Sequence, residues 1–179
     1  MSKTQRIALM GLLIALHVIL GNLIALKLWN LKLNVVVATY LVAGFLFGPA
    51  YAAVIGALGD LVGALVFPVG AYFFPFTITT AISGYIFGSL GRDMFKDIKA
   101  RTRDDRSDIT YIVIIGRVML NEIVITLVLN TLFISQLYGV KLASLISVRA
   151  LQALIDCVIY PVLILVLFES LESLYRSRH

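Results

Sequence analysis

The chain has 179 residues, of which 60% are apolar and 14% are charged, and its mean hydropathy is +0.98. A water-soluble domain of this size cannot hide so large an apolar fraction in one core, so lipid must solvate most of its surface. The net charge of +5 does not indicate nucleic acid as a partner, because the Lys and Arg residues lie beside apolar runs instead of among interleaved aromatics on one soluble face.

Polar clusters divide the chain into six apolar runs, most of them long enough to cross a bilayer as a helix. The runs lie near residues 7–26, 35–48, 50–67, 72–91, 109–135 and 143–168. The connections between them are short and leave no room for a second unit. The sequence therefore predicts a single all-α domain over residues 1–179, a bundle of six transmembrane helices.

The distribution of Lys and Arg residues predicts how this bundle is oriented. With six spans, both termini and the segment 92–108 share one side, and that side carries most of the basic residues. Such an excess is typical of the cytoplasmic side. We therefore expect the N- and C-termini inside the cell. Segment 92–108, which contains the mixed-charge run KDIKARTRDDRSD, is predicted as a solvated cytoplasmic loop.

Small residues four positions apart recur on the predicted helices, and such pairs let two helix backbones approach closely. The first pair is Gly11 with Ala15, on the first run. Later pairs are Gly44 with Gly48, Gly59 with Gly63, and Gly84 with Gly88. Each pair has two interpretations, packing inside the bundle or contact with a partner membrane protein.

Acidic and arginine side chains deep in the predicted spans each need a partner, a water-filled cavity or a function. They are Asp60, Arg117, Glu122, Arg149 and Asp156. One interpretation is a structural network, with Arg117 paired to Glu122 or Asp60 paired to Arg149. Arg117 is the strongest candidate for a role in positioning a helix.

Two polar stripes at helical spacing are expected to face the bundle interior. The sixth run carries Arg149, Gln152, Asp156 and Tyr160, and the fifth carries Glu122, Thr126 and Asn130. Because the fifth run leads outward and the sixth leads inward, Asn130 and Arg149 are expected to share one chamber that opens to the outside.

The connection after the third run, VFPVGAYFFPFT, is rich in aromatic residues. Its rings include Phe67, Tyr72, Phe73 and Phe76. They fit an aromatic belt at the membrane interface. They fit equally well the wall of a pocket for a flat ring.

Enzyme signatures are missing from the sequence, which contains no phosphate-binding loop, no H-E-x-x-H and no G-x-S-x-G motif. We expect no catalytic residues, no metal site and no cofactor. One hypothesis is a stand-alone secondary transporter that relays protons or sodium through Asp60, Glu122 and Asp156. A membrane-embedded enzyme or scaffold is a third class, with no visible nucleophile and base pair to support it.

The stretch from Gly44 to Gly88, which contains the G-D-x-x-G motif at Asp60, together with NTLFISQLYG and SVRALQALID, resembles the S components of energy-coupling factor (ECF) vitamin transporters. The folate-specific branch looks most similar. The resemblance implies a multi-pass bacterial cell-membrane subunit that captures a vitamin outside with high affinity. It also implies partners, a membrane scaffold subunit and two ATPase subunits that power release inside. Gly11 and Ala15 match the motif by which S components dock on the scaffold.

Folate, or a related pterin vitamin, fits the candidate residues chemically. A pterin presents an amino group beside a ring N–H, which the Asp60 carboxylate can accept, and its glutamate tail needs cations. Arg149 and Lys32 can supply those cations, whereas riboflavin lacks carboxylates and thiamine is itself a cation. An S component for another vitamin remains the alternative. The predicted ligand-binding residues are Lys32, Asp60, Phe67, Tyr72, Phe73, Asn130, Arg149 and Gln152.

Overall fold

The computed structural model of the chain describes residues 2–23, 26–28, 31–68, 72–100 and 111–177, with the backbone alone at 26–28, 31–33 and 100. Its helices are α1 (Lys3–Val18), α2 (Val37–Leu46), α3 (Pro49–Val66), α4 (Phe74–Ala100), α5 (Tyr111–Asn121), α6 (Thr131–Tyr138) and α7 (Leu142–Arg176). A π-helical segment, Ile19–Leu23, extends α1, and another, Glu122–Asn130, joins α5 to α6. Each of the six predicted runs thus corresponds to one helical segment.

A short hairpin between α1 and α2 departs from the all-α prediction. Strands β1 (Leu26–Leu28) and β2 (Leu31–Leu33) pair antiparallel, with Lys27 opposite Lys32. The first helical segment accordingly ends at Leu23, earlier than predicted. The repeated Leu-Lys-Leu has the period of two that is typical of strands, and it is the signal that the hydropathy pattern concealed. Strand β2 contacts α7.

The outer surface of the bundle is apolar over most of its length. In the described residues, four helical segments are long and apolar enough to cross a membrane, and α2 is a shorter apolar helix. The four are Lys3–Leu23, Pro49–Val66, Tyr111–Tyr138 and Leu142–Arg176. Large side chains such as Leu65, Ile112 and Val158 are well exposed on this surface. Such a surface needs lipid as its solvent, so the chain is embedded in a membrane.

Helix α4 corrects the prediction that residues 92–108 form a loop. The helix continues through Ala100, well beyond its apolar part. Its charged turns are supported locally, since Lys96 lies 3.9 Å from Asp93 and the Arg92 guanidinium lies over the ring of Phe95. A helix that leaves the bilayer can carry such charges in water. The rest of the predicted loop, residues 101–110, lies outside the described residues.

Helices α3 and α4 form an antiparallel pair that glycine residues bring into backbone contact. A Cβ atom at Gly56 would lie 2.6 Å from the carbonyl oxygen of Thr80, and one at Gly84 would lie 2.5 Å from that of Ala52. Gly44 and Gly88 likewise bring α2 and α4 together. Packing inside the bundle is therefore the role of these glycines. The turn between α2 and α3 also requires a glycine, because Gly48 has a φ of +103°.

Gly11 differs from these packed glycines. In the part of the chain that the structure describes, no atom beyond its own stretch of helix lies within 4 Å of the position that a Cβ would take there. Gly11 and Ala15 are both exposed on α1. The opposite face of α1 packs through Leu13 into a small apolar cluster with α2 and α3. The Gly11 face of α1 is therefore open to a neighbour outside the bundle.

Candidate ligand-binding site

Four helical segments meet at one end of the bundle, which we call the site end. The side chain of Asp60, near the end of α3, contacts Thr77 at the start of α4. Thr79 in turn contacts Asn130, the last residue of the second π-helical segment. Only three residues separate the end of α6 from the start of α7, so the first turns of α7 belong to the same end. Most of the predicted ligand-binding residues lie here.

Asp60 is held by a chain of hydroxyl groups. Thr77 Oγ1 donates a hydrogen bond to Asp60 Oδ2 at 2.6 Å. Tyr72 OH lies 2.8 Å from the same Thr77 oxygen. Because the one hydroxyl proton of Thr77 points to Asp60, Tyr72 is the donor in this second bond. Asp60 is thus oriented by α4 and is only partly buried.

Three aromatic rings pack together beside this hydroxyl chain. The rings of Phe73 and Phe76 contact each other edge to face, with centroids 5.7 Å apart. Each also meets Phe133 of α6, at 6.1 and 6.2 Å. The sequence singled out Phe73 and Phe76 but missed Phe133. Its position three residues after Asn130 on the same helical segment was the available signal. Phe67 is half-buried at the end of α3.

The polar stripe of α7 faces the bundle interior, as predicted. Arg149, Gln152, Asp156 and Tyr160 are 8%, 7%, 2% and 6% exposed. Arg149 Nη1 donates to Gln152 Oε1 at 2.9 Å, and Gln152 also hydrogen-bonds the Asp156 side chain. Arg149 Nε is buried without a hydrogen-bond partner. The stripe therefore has a hydrogen-bond donor that the described chain does not satisfy.

A second buried polar group lies where α5 gives way to the π-helical segment. Asn121 Nδ2 donates to Glu122 Oε1 at 3.0 Å. The Glu122 side chain also hydrogen-bonds Thr126, one turn further along. Glu122 interacts electrostatically with Asp156 across the interior. This group and the stripe of α7 thus form one continuous polar interior.

The structural ion pairs suggested by the sequence are not the ones that form. Arg117 hydrogen-bonds Ser89 and lies 3.4 Å from Asp93, so it joins α5 to α4 and does not pair with Glu122. In the part of the chain that the structure describes, Asp60 and Arg149 form no ion pair. Lys32 lies on β2, and its side chain is outside the described part of the structure.

Comparison with models of known protein families shows which family this helical bundle belongs to. The family of the ECF-type riboflavin transporter S component matches residues 1–173. The chain belongs to this family. The resemblance predicted from the G-D-x-x-G motif and the segments around Asn130 and Arg149 is confirmed.

Two relatives of this S component carry the name of another vitamin. This chain is 21% identical to the Folate transporter FolT of Clostridium novyi (strain NT) over 176 residues, which cover 98% of this chain and 93% of that protein. It is also similar to the crystal structure of FolT bound with folic acid, with 28% identity and a TM-score of 0.78. That match covers 93% of this chain and 94% of the other.

The hydroxyl chain at Asp60 gives a first testable prediction for this S component. Thr77→Val removes the donor to Asp60 and should lower the free energy of unfolding by about 1–3 kcal/mol, because a partly buried acceptor loses its partner. Thr80→Val is the matched control, since Thr80 Oγ1 donates only to the backbone carbonyl of Thr77. Thermal unfolding in detergent micelles measures both. Equal losses would mean that the Thr77 bond does not stabilise the fold.

Proposed function

We propose that this S component is the folate-binding subunit of an ATP-driven ECF vitamin importer. The similarity to FolT bound with folic acid, over nearly the whole of both chains, carries the proposal. The subunit would capture folate outside the cell and release it inside by reorienting together with its partner subunits. ATP hydrolysis would belong to those partners, and the chain itself would not be an enzyme.

The polar interior favours folate over riboflavin, the vitamin in the name of the family. Arg149 is buried, and its Nε atom has no hydrogen-bond partner. A buried guanidinium is stabilised by an anion, and a carboxylate is the anion that it binds best among common ligand groups. The glutamate tail of folate offers such carboxylates, whereas riboflavin has none. The buried Arg149 thus favours folate as the ligand, in agreement with the names of the two relatives.

The proposed ligand site lies at the site end, which we place on the outer side of a bacterial cell membrane. Six membrane crossings with both termini in the cytoplasm agree with the six helical segments and with the clustering of basic residues. The aromatic rings would stack on the ligand, and the polar groups would fix its orientation. The proposed ligand-binding residues are Lys32, Asp60, Phe67, Tyr72, Phe73, Asn130, Arg149 and Gln152.

The energising partners would be a membrane scaffold subunit and two ATPase subunits. The open face of α1 at Gly11 and Ala15 is the proposed contact with the scaffold. It supports this role because, among the described residues, no atom beyond this stretch of α1 lies within 4 Å of a Cβ built at Gly11. A small residue on an open helix face permits close approach of a second helix in lipid.

Calorimetry of the purified subunit tests the proposed function. Folic acid should bind with 1:1 stoichiometry, whereas riboflavin and thiamine should give no saturable heat at the same concentrations. Native mass spectrometry of the protein as purified should detect the mass of a folate. A flat titration with folic acid and a saturable one with riboflavin would reverse the assignment of the vitamin.

The rival hypothesis of an ion-coupled transporter draws on the two buried carboxylates, Glu122 and Asp156. Such groups inside a membrane protein often relay ions. Reconstitution of the chain alone in liposomes with a sodium or proton gradient separates the two functions. An S component should bind folic acid there without accumulating it, whereas gradient-driven accumulation would support the rival.

A further inference from the structure

Two buried acceptor atoms without hydrogen-bond partners lie on adjacent residues of the fifth helical segment. They are Asn121 Oδ1 and Glu122 Oε2, and the two residues are only 5% and 2% exposed. Nearly all buried polar atoms in proteins have a partner, because an unmade hydrogen bond leaves the full desolvation penalty uncompensated. Two such acceptors together, in the polar interior that they share with the stripe of α7, indicate that a ligand supplies the donors.

The two side chains are held in place by the rest of the structure. Asn121 Nδ2 donates to the other carboxylate oxygen of Glu122, and Thr126 also hydrogen-bonds Glu122. The π-helical segment begins at Glu122, and Thr131 Oγ1 closes it by donating to the carbonyl oxygen of Thr126 at 3.0 Å. π-Helical turns occur frequently at functional sites. Both acceptors are therefore oriented before any ligand binds.

The surroundings make this position favourable for hydrogen-bond donors. Asp156, on the facing helix α7, adds a second buried carboxylate that interacts with Glu122. Within the described ranges, no Lys or Arg side chain forms an ion pair with either of them. The nearest guanidinium in the stripe, that of Arg149, donates to Gln152. The position thus attracts donors and repels carboxylates.

We propose that Glu122 and Asn121 bind the donor edge of the pteridine ring, where an exocyclic amino group lies beside a ring N–H. This inference rests on the proposed function, folate binding. Two adjacent donors match the two adjacent acceptors: the Glu122 carboxylate accepts the amino group, and Asn121 Oδ1 accepts the ring N–H. Arg149, with its unsatisfied Nε, then binds the opposite, carboxylate-bearing part of the ligand.

This assignment replaces Asp60 as the acceptor of the donor edge. One Asp60 oxygen already accepts the Thr77 hydroxyl at 2.6 Å, and Asp60 is only partly buried. Glu122 is almost completely buried and has a free oxygen. Asp60 remains in the proposed site, where Thr77 and Tyr72 orient it. It contacts the ligand there but does not bind its amino group.

A pair of ligands measures the contribution of the donor edge directly. Folic acid and its 2-desamino analogue are titrated by calorimetry against wild type, Glu122→Gln and Asp60→Asn. Wild type should bind folic acid about 10- to 100-fold more tightly than the analogue, since a hydrogen bond to a charged group is lost. Glu122→Gln should weaken folic acid by a similar factor and leave the analogue unchanged. Asp60→Asn should weaken both ligands equally.

The outcomes separate this inference from the proposed function. If wild type does not bind folic acid, the proposed function fails. If wild type binds but does not distinguish the two ligands, or if Asp60→Asn alone removes the distinction, Glu122 is not the acceptor. Where Glu122→Gln does not give a monodisperse protein, Asn121→Leu replaces it. That variant removes the acceptor of the ring N–H, which both ligands carry, so it should weaken both about 10-fold, and unchanged affinities overturn the assignment.

Discussion

Gly11→Trp is expected to abolish folate uptake in cells that contain the energising subunits, and to leave folic acid binding by the isolated subunit within about twofold of wild type. The reason is the open face of α1. A Cβ at Gly11 meets no atom of the bundle, so the indole would project outward and leave the fold undisturbed. It would instead hold the scaffold helix away from the backbone of α1.

Two other glycines provide matched controls for this substitution. Gly116 on α5 also has open space around it, so Gly116→Trp adds the same bulk on a different helix and should preserve uptake. Gly44 contacts the backbone of Gly88, so Gly44→Trp should prevent folding altogether. Uptake of labelled folic acid and calorimetry on the same variants separate the two effects. Joint loss of binding and uptake in Gly11→Trp would assign this face to internal packing, and normal uptake would place the scaffold elsewhere.

The helical segments were predictable from the sequence because lipid imposes a simple rule. Backbone polar groups in a bilayer must be satisfied within the segment, so each apolar run long enough to cross becomes a helix. Departures occur where this rule does not apply. The hairpin at Leu26–Leu33 follows a period of two, and α4 continues to Ala100 through charged turns, which a rule about apolar runs does not cover.

The sequence predicted which residues face the bundle interior better than it predicted which of them contact one another. Helical spacing alone identified the buried stripe from Arg149 to Tyr160. Spacing does not reveal which side chains meet across helices, and Arg149 contacts Gln152 where Asp60 had been considered. The π-helical segment at Glu122 has no known sequence pattern among those considered, so it was not predicted. Phe133 was missed because its one signal, a position three residues after Asn130, is equally typical of an aromatic residue that packs in an apolar helix.

Arg149→Gln is expected to weaken folic acid binding by about 2–4 kcal/mol, or roughly 30- to 1000-fold, because a buried, charge-assisted bond to a ligand carboxylate is lost. The affinity for an analogue without the glutamate tail should change less than about threefold. Arg149 is suited to this role since it is buried, its one described partner is the neutral Gln152, and its Nε is unsatisfied. Calorimetry with both ligands measures the difference.

Arg117→Gln is the matched control, because Arg117 is a second arginine on a spanning segment, partly buried, whose contacts with Ser89 and Asp93 join α5 to α4. It should lower thermal stability and leave both affinities nearly unchanged.

The double variant Asp60→Asn with Arg149→Gln adds a further test. Asp60 hydrogen-bonds Thr77 and, in the described structure, does not pair with Arg149. The losses of folic acid binding free energy in the two single variants should therefore add within about 0.5 kcal/mol in the double variant. Recovery of affinity or stability in the double variant would instead reveal a structural ion pair. Equal losses for both ligands in Arg149→Gln would likewise remove Arg149 from the ligand site.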